Sequence, residues 1–217
     1  MSFEMANLFL IGSLPGAAAP ESGAPASSLT RKADARVHPQ FVNRWSSRAF
    51  SERPVSQAVL DSLFEAARWA PSASNAQPAL FIYADTPEDL ERFRPLLRDS
   101  NRRWADKAPV LAFVFAKKAK DGTPNRSATF DAGAAWMSLA LQAHELGLNV
   151  RAMGGIHREQ VHLELGVPTE EYEVACGIAL GYRGDPTLLP EELQAKEQPN
   201  TRRPLAEVAV RGRFPTR

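Results

Sequence analysis

The sequence predicts an α+β fold, and three observations carry that prediction. Two continuous apolar runs of strand length, Pro109–Ala116 (PVLAFVFA) and Val174–Tyr182 (VACGIALGY), read as strands buried on both faces. Ala128–Leu146 reads as a long helix, with Ala132, Trp136, Leu139, Ala140, Ala143 and Leu146 on one stripe and Gly147 as its stop. The other elements do not alternate in the regular β-α-β-α order of a doubly wound sheet. At 217 residues, 44% hydrophobic and 24% charged, the chain has the make-up of a soluble globular protein.

Residues 12–28 are dominated by Gly, Ala, Pro and Ser, which bury too little apolar surface to offset their ordering entropy. Residues 1–38 therefore read as a low-complexity extension and 39–217 as the folded domain. The apolar run Leu8–Ile11 has no Lys or Arg before it and is too short for an export signal. Within the domain, Val55–Ala70 carries apolar residues at helical spacing between Pro54 and Pro71. Leu80–Tyr83 is a short strand. Thr86-Pro87-Glu88-Asp89 opens a helix with a hydroxyl cap, a proline in the first turn and acids at the positive end. Leu148–Ala152 is a short extended piece leading into Met153-Gly154-Gly155. Arg158–Leu165 is a helix closed by Gly166 and Pro168, Pro190–Glu197 is a short helix, and the tail from Thr201 is extended.

Net charge is +1, which offers no bulk basicity for nucleic acid or an anionic membrane. No apolar run approaches the roughly 18 residues of a membrane helix. Neither nucleic acid nor membrane is an expected partner. The lone Cys176 excludes an intramolecular disulfide and suits a reducing cytoplasm. Its apolar strand setting marks it as a small core residue rather than a nucleophile. G-x-G-x-x-G, the P-loop and G-x-S-x-G are all missing. His157 and His162 are five apart, on different helix faces, so no metal site is expected. With no nucleophile, base and orienter in view, a bound cofactor is the expected carrier of any reaction.

Two segments point to that cofactor. Arg44-Trp45-Ser46-Ser47-Arg48 offers two guanidiniums and two hydroxyls within five residues, and arginine matches phosphate with paired donors and permanent charge. Pro71-Ser72-Ala73-Ser74-Asn75-Ala76-Gln77-Pro78 is a small polar loop that can hold backbone and amide donors near a flat ligand.

These segments, the Gly154-Gly155 turn after a short strand and Arg202-Arg203-Pro204-Leu205 near the end occur in an order that resembles the FMN-dependent nitroreductase family. Asn101–Pro109 and Phe130–Ala134 are similar to family wording. The resemblance covers roughly residues 40–214. It implies a central, mostly antiparallel sheet flanked by helices, in an intertwined homodimer with FMN at the subunit interface. It implies that Arg44, Ser46 and Arg48 hold the FMN phosphate and ribityl, with Trp45 in the same cofactor-binding segment. Asn75 would touch the flavin from the other subunit. Met153, Gly154 and Gly155 would lie against the ring through their backbone, and Arg202 with Arg203 would return to the phosphate. The implied activity is hydride transfer from NADH or NADPH through FMN to a small acceptor such as a nitroaromatic or quinone, in ping-pong order. The alternatives are a related flavoprotein with other chemistry (dehalogenation or flavin fragmentation) and a non-enzymatic flavin binder. The chain departs from many relatives at Ala79, at Gly154 and at Asn200, where some members carry a phosphate-binding lysine. Trp69 and Trp136 are expected in core or dimer packing, and Trp104, in a polar segment, is a candidate pocket liner.

Overall fold

A computed structural model describes residues 31–214, so residues 1–30 of the expected extension lie outside the described residues. The chain enters through a short helix, α1 (Pro39–Asn43), and an extended segment that reaches α2 (Gln57–Arg68). Strand β1 (Ala79–Ala84) and helix α3 (Pro87–Phe93) follow, and the Thr86 hydroxyl caps α3 by accepting from Asp89 N–H at 3.2 Å. Next come α4 (Asp99–Ala105), β2 (Val110–Lys117) and a small hairpin, β3 (Ala119–Lys120) with β4 (Thr123–Pro124). Its turn residues Asp121 and Gly122 have φ of 50° and 76°, the left-handed pair that two-residue hairpins require. Then follow α5 (Ala128–Glu145), β5 (Leu148–Met153), α6 (Arg158–Glu164), β6 (Tyr172–Tyr182), α7 (Glu191–Gln194) and α8 (Leu205–Val208).

Four strands form one sheet in the order β1-β2-β6-β5, with every neighbouring pair antiparallel. β2 and β6 are central, which is why both read as unbroken apolar runs. Leu111, Phe113 and Phe115 of β2 join one core layer with Leu90, Phe93, Leu97 and Val161. Val110, Ala112, Val114 and Ala116 face the other layer, against Leu60 and Leu63 of α2 and Ala132, Ala135 and Leu139 of α5. The α+β reading and the antiparallel sheet hold.

Several details differ from the sequence reading. Trp104 is 3% exposed and stacks on Phe50 with ring centroids 6.2 Å apart. It is a core residue, not a pocket liner, because the charged residues around it occupy the outer face of the unexpected helix α4. Trp69 is 73% exposed, which excludes core packing for it. The helix expected over Pro190–Glu197 is confined to Glu191–Gln194, since the residues after it are drawn into another set of contacts. The tail carries α8 instead of running wholly extended.

Candidate functional site

The segment after α1 is fastened to the ends of β5 and β6. Asn149, 6% exposed on β5, clasps the Ser47 backbone from both sides: Ser47 N–H donates to its Oδ1 at 3.3 Å, and its Nδ2 donates to Ser47 O at 3.2 Å. Ser51 N–H donates to Tyr182 O at 2.9 Å, and Gly184 N–H donates to Ala49 O at 3.0 Å. Glu197 closes the third side. Its Oε1 accepts from Arg48 N–H at 2.7 Å, from Ala49 N–H at 3.0 Å and from the Ser47 hydroxyl. Its Oε2 lies 3.9 Å from an Arg48 terminal nitrogen, and its side chain is 3% exposed. Through Oε1 this buried carboxylate fixes the tail to the Ser47–Ala49 segment, while its buried Oε2 has no hydrogen-bond partner among the described residues.

The consequence is a cleft of ≈ 480 Å³ between the 31–48 and 196–202 segments. Its cations are Arg31, Arg44, Arg48, Arg151, Lys196 and Arg202, and Trp45, Ser46 and Asn200 lie among them. Arg48 and Arg202, far apart in sequence, thus share one cavity. The Arg44 guanidinium donates to Ser46 Oγ at 3.4 Å. Burial, then the charge of Arg202, lowers its pKa. Arg151 donates to Ser46 O and sits over the Trp104 ring at 5.3 Å. Burial and then Arg48 push Arg151 down to about 10, against the pull of Glu197, so it stays charged at neutral pH. The buried Nε of Arg44 and Nε1 of Trp45 have no acceptor among the described residues. Converging cations and unpaired buried donors fit a phosphomonoester, which brings two negative charges and three acceptor oxygens.

The remaining predicted residues lie elsewhere. Arg203 is exposed and is not among the cleft's lining residues. Asn75 is exposed in the Pro71–Pro78 loop, where Ser74, Asn75 and Gln77 have φ of 49°, 52° and 48°. Three non-glycine residues in the left-handed region within four positions mark a strained loop. It is held by Ala73 N–H donating to the buried Asp131 at 3.1 Å and by Lys120 Nζ donating to Ser74 O at 2.6 Å. Met153 is 4% exposed, so its side chain belongs to the core and only its backbone is available to a ligand. Gly154 is exposed, and a Cβ there would meet nothing within 4 Å. At Gly155 a Cβ would come 2.6 Å from Asn101 Nδ2, which donates to Gly155 O at 2.9 Å. A side chain at the second glycine would displace the Asn101 amide, whereas the first leaves open space for a flat ring. Burial pushes the Cys176 thiol up to about 11, which keeps it protonated, as its apolar strand suggests.

Sequence reading missed Arg31, Arg151, Lys196 and Glu197. Arg151 did carry a signal, as the one charge in the otherwise apolar or amide strand LNVRAM. Asn200, singled out as a departure, lines the cleft.

Comparison with known proteins supplies the context. A model of the nitroreductase family matches residues 42–103 and 97–182. A solved oxidoreductase containing FMN is 42% identical, covering 86% of this chain and 97% of that one with a TM-score of 0.82. A nitroreductase from Desulfovibrio desulfuricans, solved in complex with FMN, is 25% identical over 81% of this chain and 96% of that one, with a TM-score of 0.64. A Streptomyces coelicolor protein named as an NADH dehydrogenase/NAD(P)H nitroreductase is 40% identical over 74 residues, 34% of this chain. This chain spans 37% of that relative's length, and 44% of a Burkholderia lata relative named for the same activities, which is 29% identical.

Proposed function

The chain belongs to the nitroreductase family, and we propose that it is an FMN-dependent oxidoreductase taking electrons from NADH or NADPH and passing them to a small acceptor such as a nitroaromatic or quinone. The observation that carries this reading is the cation cleft, whose donors suit the FMN phosphate. Arg44, Ser46, Arg48 and Arg202 would hold the phosphate and ribityl, with Trp45 packed beside them. The backbone of Met153, Gly154 and Gly155 would lie against the ring, and Gly154 leaves the space for that approach. When bound, FMN would supply the hydride chemistry, and donor and acceptor would use the site in turn, in ping-pong order.

The same reading includes a homodimer. Phe130 at the start of α5 is 82% exposed, and Gly133, Ala134 and Met137 continue a small or apolar stripe from it at helical spacing. The tail adds Leu205, Val208, Val210 and Phe214, at 49%, 64%, 52% and 89% exposure. Apolar surface on this scale suits a subunit contact. Asn75 does not line this chain's cleft, which accords with a flavin contact from Asn75 of the partner subunit.

Protein loaded with FMN is expected to be yellow, to sediment at twice the chain mass and to bleach under anaerobic NADH or NADPH. Addition of a quinone should restore the colour. A protein that stays colourless after FMN addition contradicts the flavin reading. A yellow protein that neither nucleotide bleaches contradicts the reductase reading.

A further inference from the structure

We propose that Arg31, which precedes the first helix, is an additional phosphate-site cation. The inference rests on the flavin-phosphate reading above. Arg31 lies outside the residues matched by the family model, yet it lines the cleft beside Arg44 and Arg202. Its Nε donates to Asn200 O at 2.9 Å, and one terminal nitrogen donates to Val42 O at 3.0 Å and Arg44 O at 2.9 Å. The other terminal nitrogen donates to Asn200 Oδ1 at 3.3 Å. Every one of these acceptors is a neutral carbonyl. Among the described residues Arg31 has no carboxylate within ion-pair distance. The charge is held in place by four neutral contacts and left uncompensated.

The surroundings sharpen the point. Glu197 Oε1 is committed to Ser47, Arg48 and Ala49, and Asp34 Oδ2 accepts from Leu205 N–H. Burial first, then the charges of Arg202 and Arg44, lowers the Arg31 pKa. An anion placed between these charges relieves their repulsion. A purely mechanical role in pinning the tail explains less, because the tail has a second tie close by: Leu205 N–H donates to Asp34 Oδ2 at 2.7 Å. Position 200 carries an amide here, and the guanidinium bound to that amide arrives from the segment before the first helix.

The test compares FMN with riboflavin, which lacks the phosphate, in dissociation constants measured by flavin fluorescence. Arg31→Ala is expected to weaken FMN about tenfold, the scale of one partly screened charge. Riboflavin should change less than twofold. Arg31→Gln, which keeps an N–H toward Asn200 but removes the charge, should show the same loss, and Arg31→Lys should retain most of the affinity. In an Arg202→Ala background, Arg31→Ala should still weaken FMN several-fold, since two cations that act on the phosphate separately give separate losses. The proposal is overturned if Arg31→Ala weakens both flavins equally, or if its effect vanishes once Arg202 is gone. A wild-type protein that binds FMN no better than riboflavin would instead sink the phosphate reading itself.

Discussion

Arg44→Ala combined with Arg202→Ala is expected to weaken FMN binding by at least about 100-fold, with little change in the unfolding of the flavin-free protein. Each guanidinium would give the phosphate a charge-assisted bond of about 1.5–3 kcal/mol, and two such losses correspond to roughly 10²–10⁴-fold. The fold depends on neither side chain. Among the described residues the Arg44 guanidinium bonds only to Ser46, and that of Arg202 only to its neighbour Thr201 O at 2.9 Å. Removing both leaves the clasps at Asn149 and Glu197 intact. Isothermal titration with FMN, alongside urea unfolding of the flavin-free variant, checks both halves. Wild-type affinity in the variant would contradict the assignment, and a large loss of stability would show that the side chains act on the fold instead.

Gly184→Ala is expected to have the opposite profile, with a large cost to stability first and the site lost as a result. A Cβ at Gly184 would overlap the Phe50 carbonyl and come within 2.8 Å of Ser51 N. These are backbone atoms, which cannot swing aside as a side chain does. Phe50 pairs with Arg183 in an isolated bridge, and Gly184 N–H holds Ala49 O at 3.0 Å, so the clash falls on the seam that docks the Arg44–Arg48 segment. Overpacking of this type costs about 1–3 kcal/mol or more. For a chain of this size that corresponds to a melting-point fall of about 2–12 °C. Thermal melts at fixed protein and FMN concentrations measure it, and an unchanged melt would show that the seam yields without cost.

The elements legible in the sequence are those with strong local signals. The prolines around α2 and the glycine stops after α5 and α6 placed those helices within one or two residues, and the Thr86 cap placed the start of α3. Gly147 and Gly166 indeed take φ of 74° and 64°. The buried strands stood out because both faces are apolar. Helix α4 was hidden because Asp99, Arg102 and Arg103 cover it and only Trp104 and Ala105 are buried. In the site, the motif from Arg44 to Arg48 offered residue types that match a phosphate, and Arg202 entered only through the family resemblance; both line the cleft. Glu197 was not, since it works through the N–H groups of Arg48 and Ala49 and a backbone acceptor site leaves no pattern in side-chain identity. Arg31 was hidden for a related reason: it sits next to a low-complexity stretch, and its role exists only once the tail folds back beside it.

The central claim is that the 31–48 and 196–202 segments jointly grip a phosphate, and the affinities of the wild-type protein for FMN and riboflavin, titrated side by side, test it most directly. The account predicts that FMN binds at least about 100-fold more tightly, with the gap narrowing as salt is added, because the difference comes from charge-assisted bonds. Equal affinities for the two flavins at low salt would contradict it.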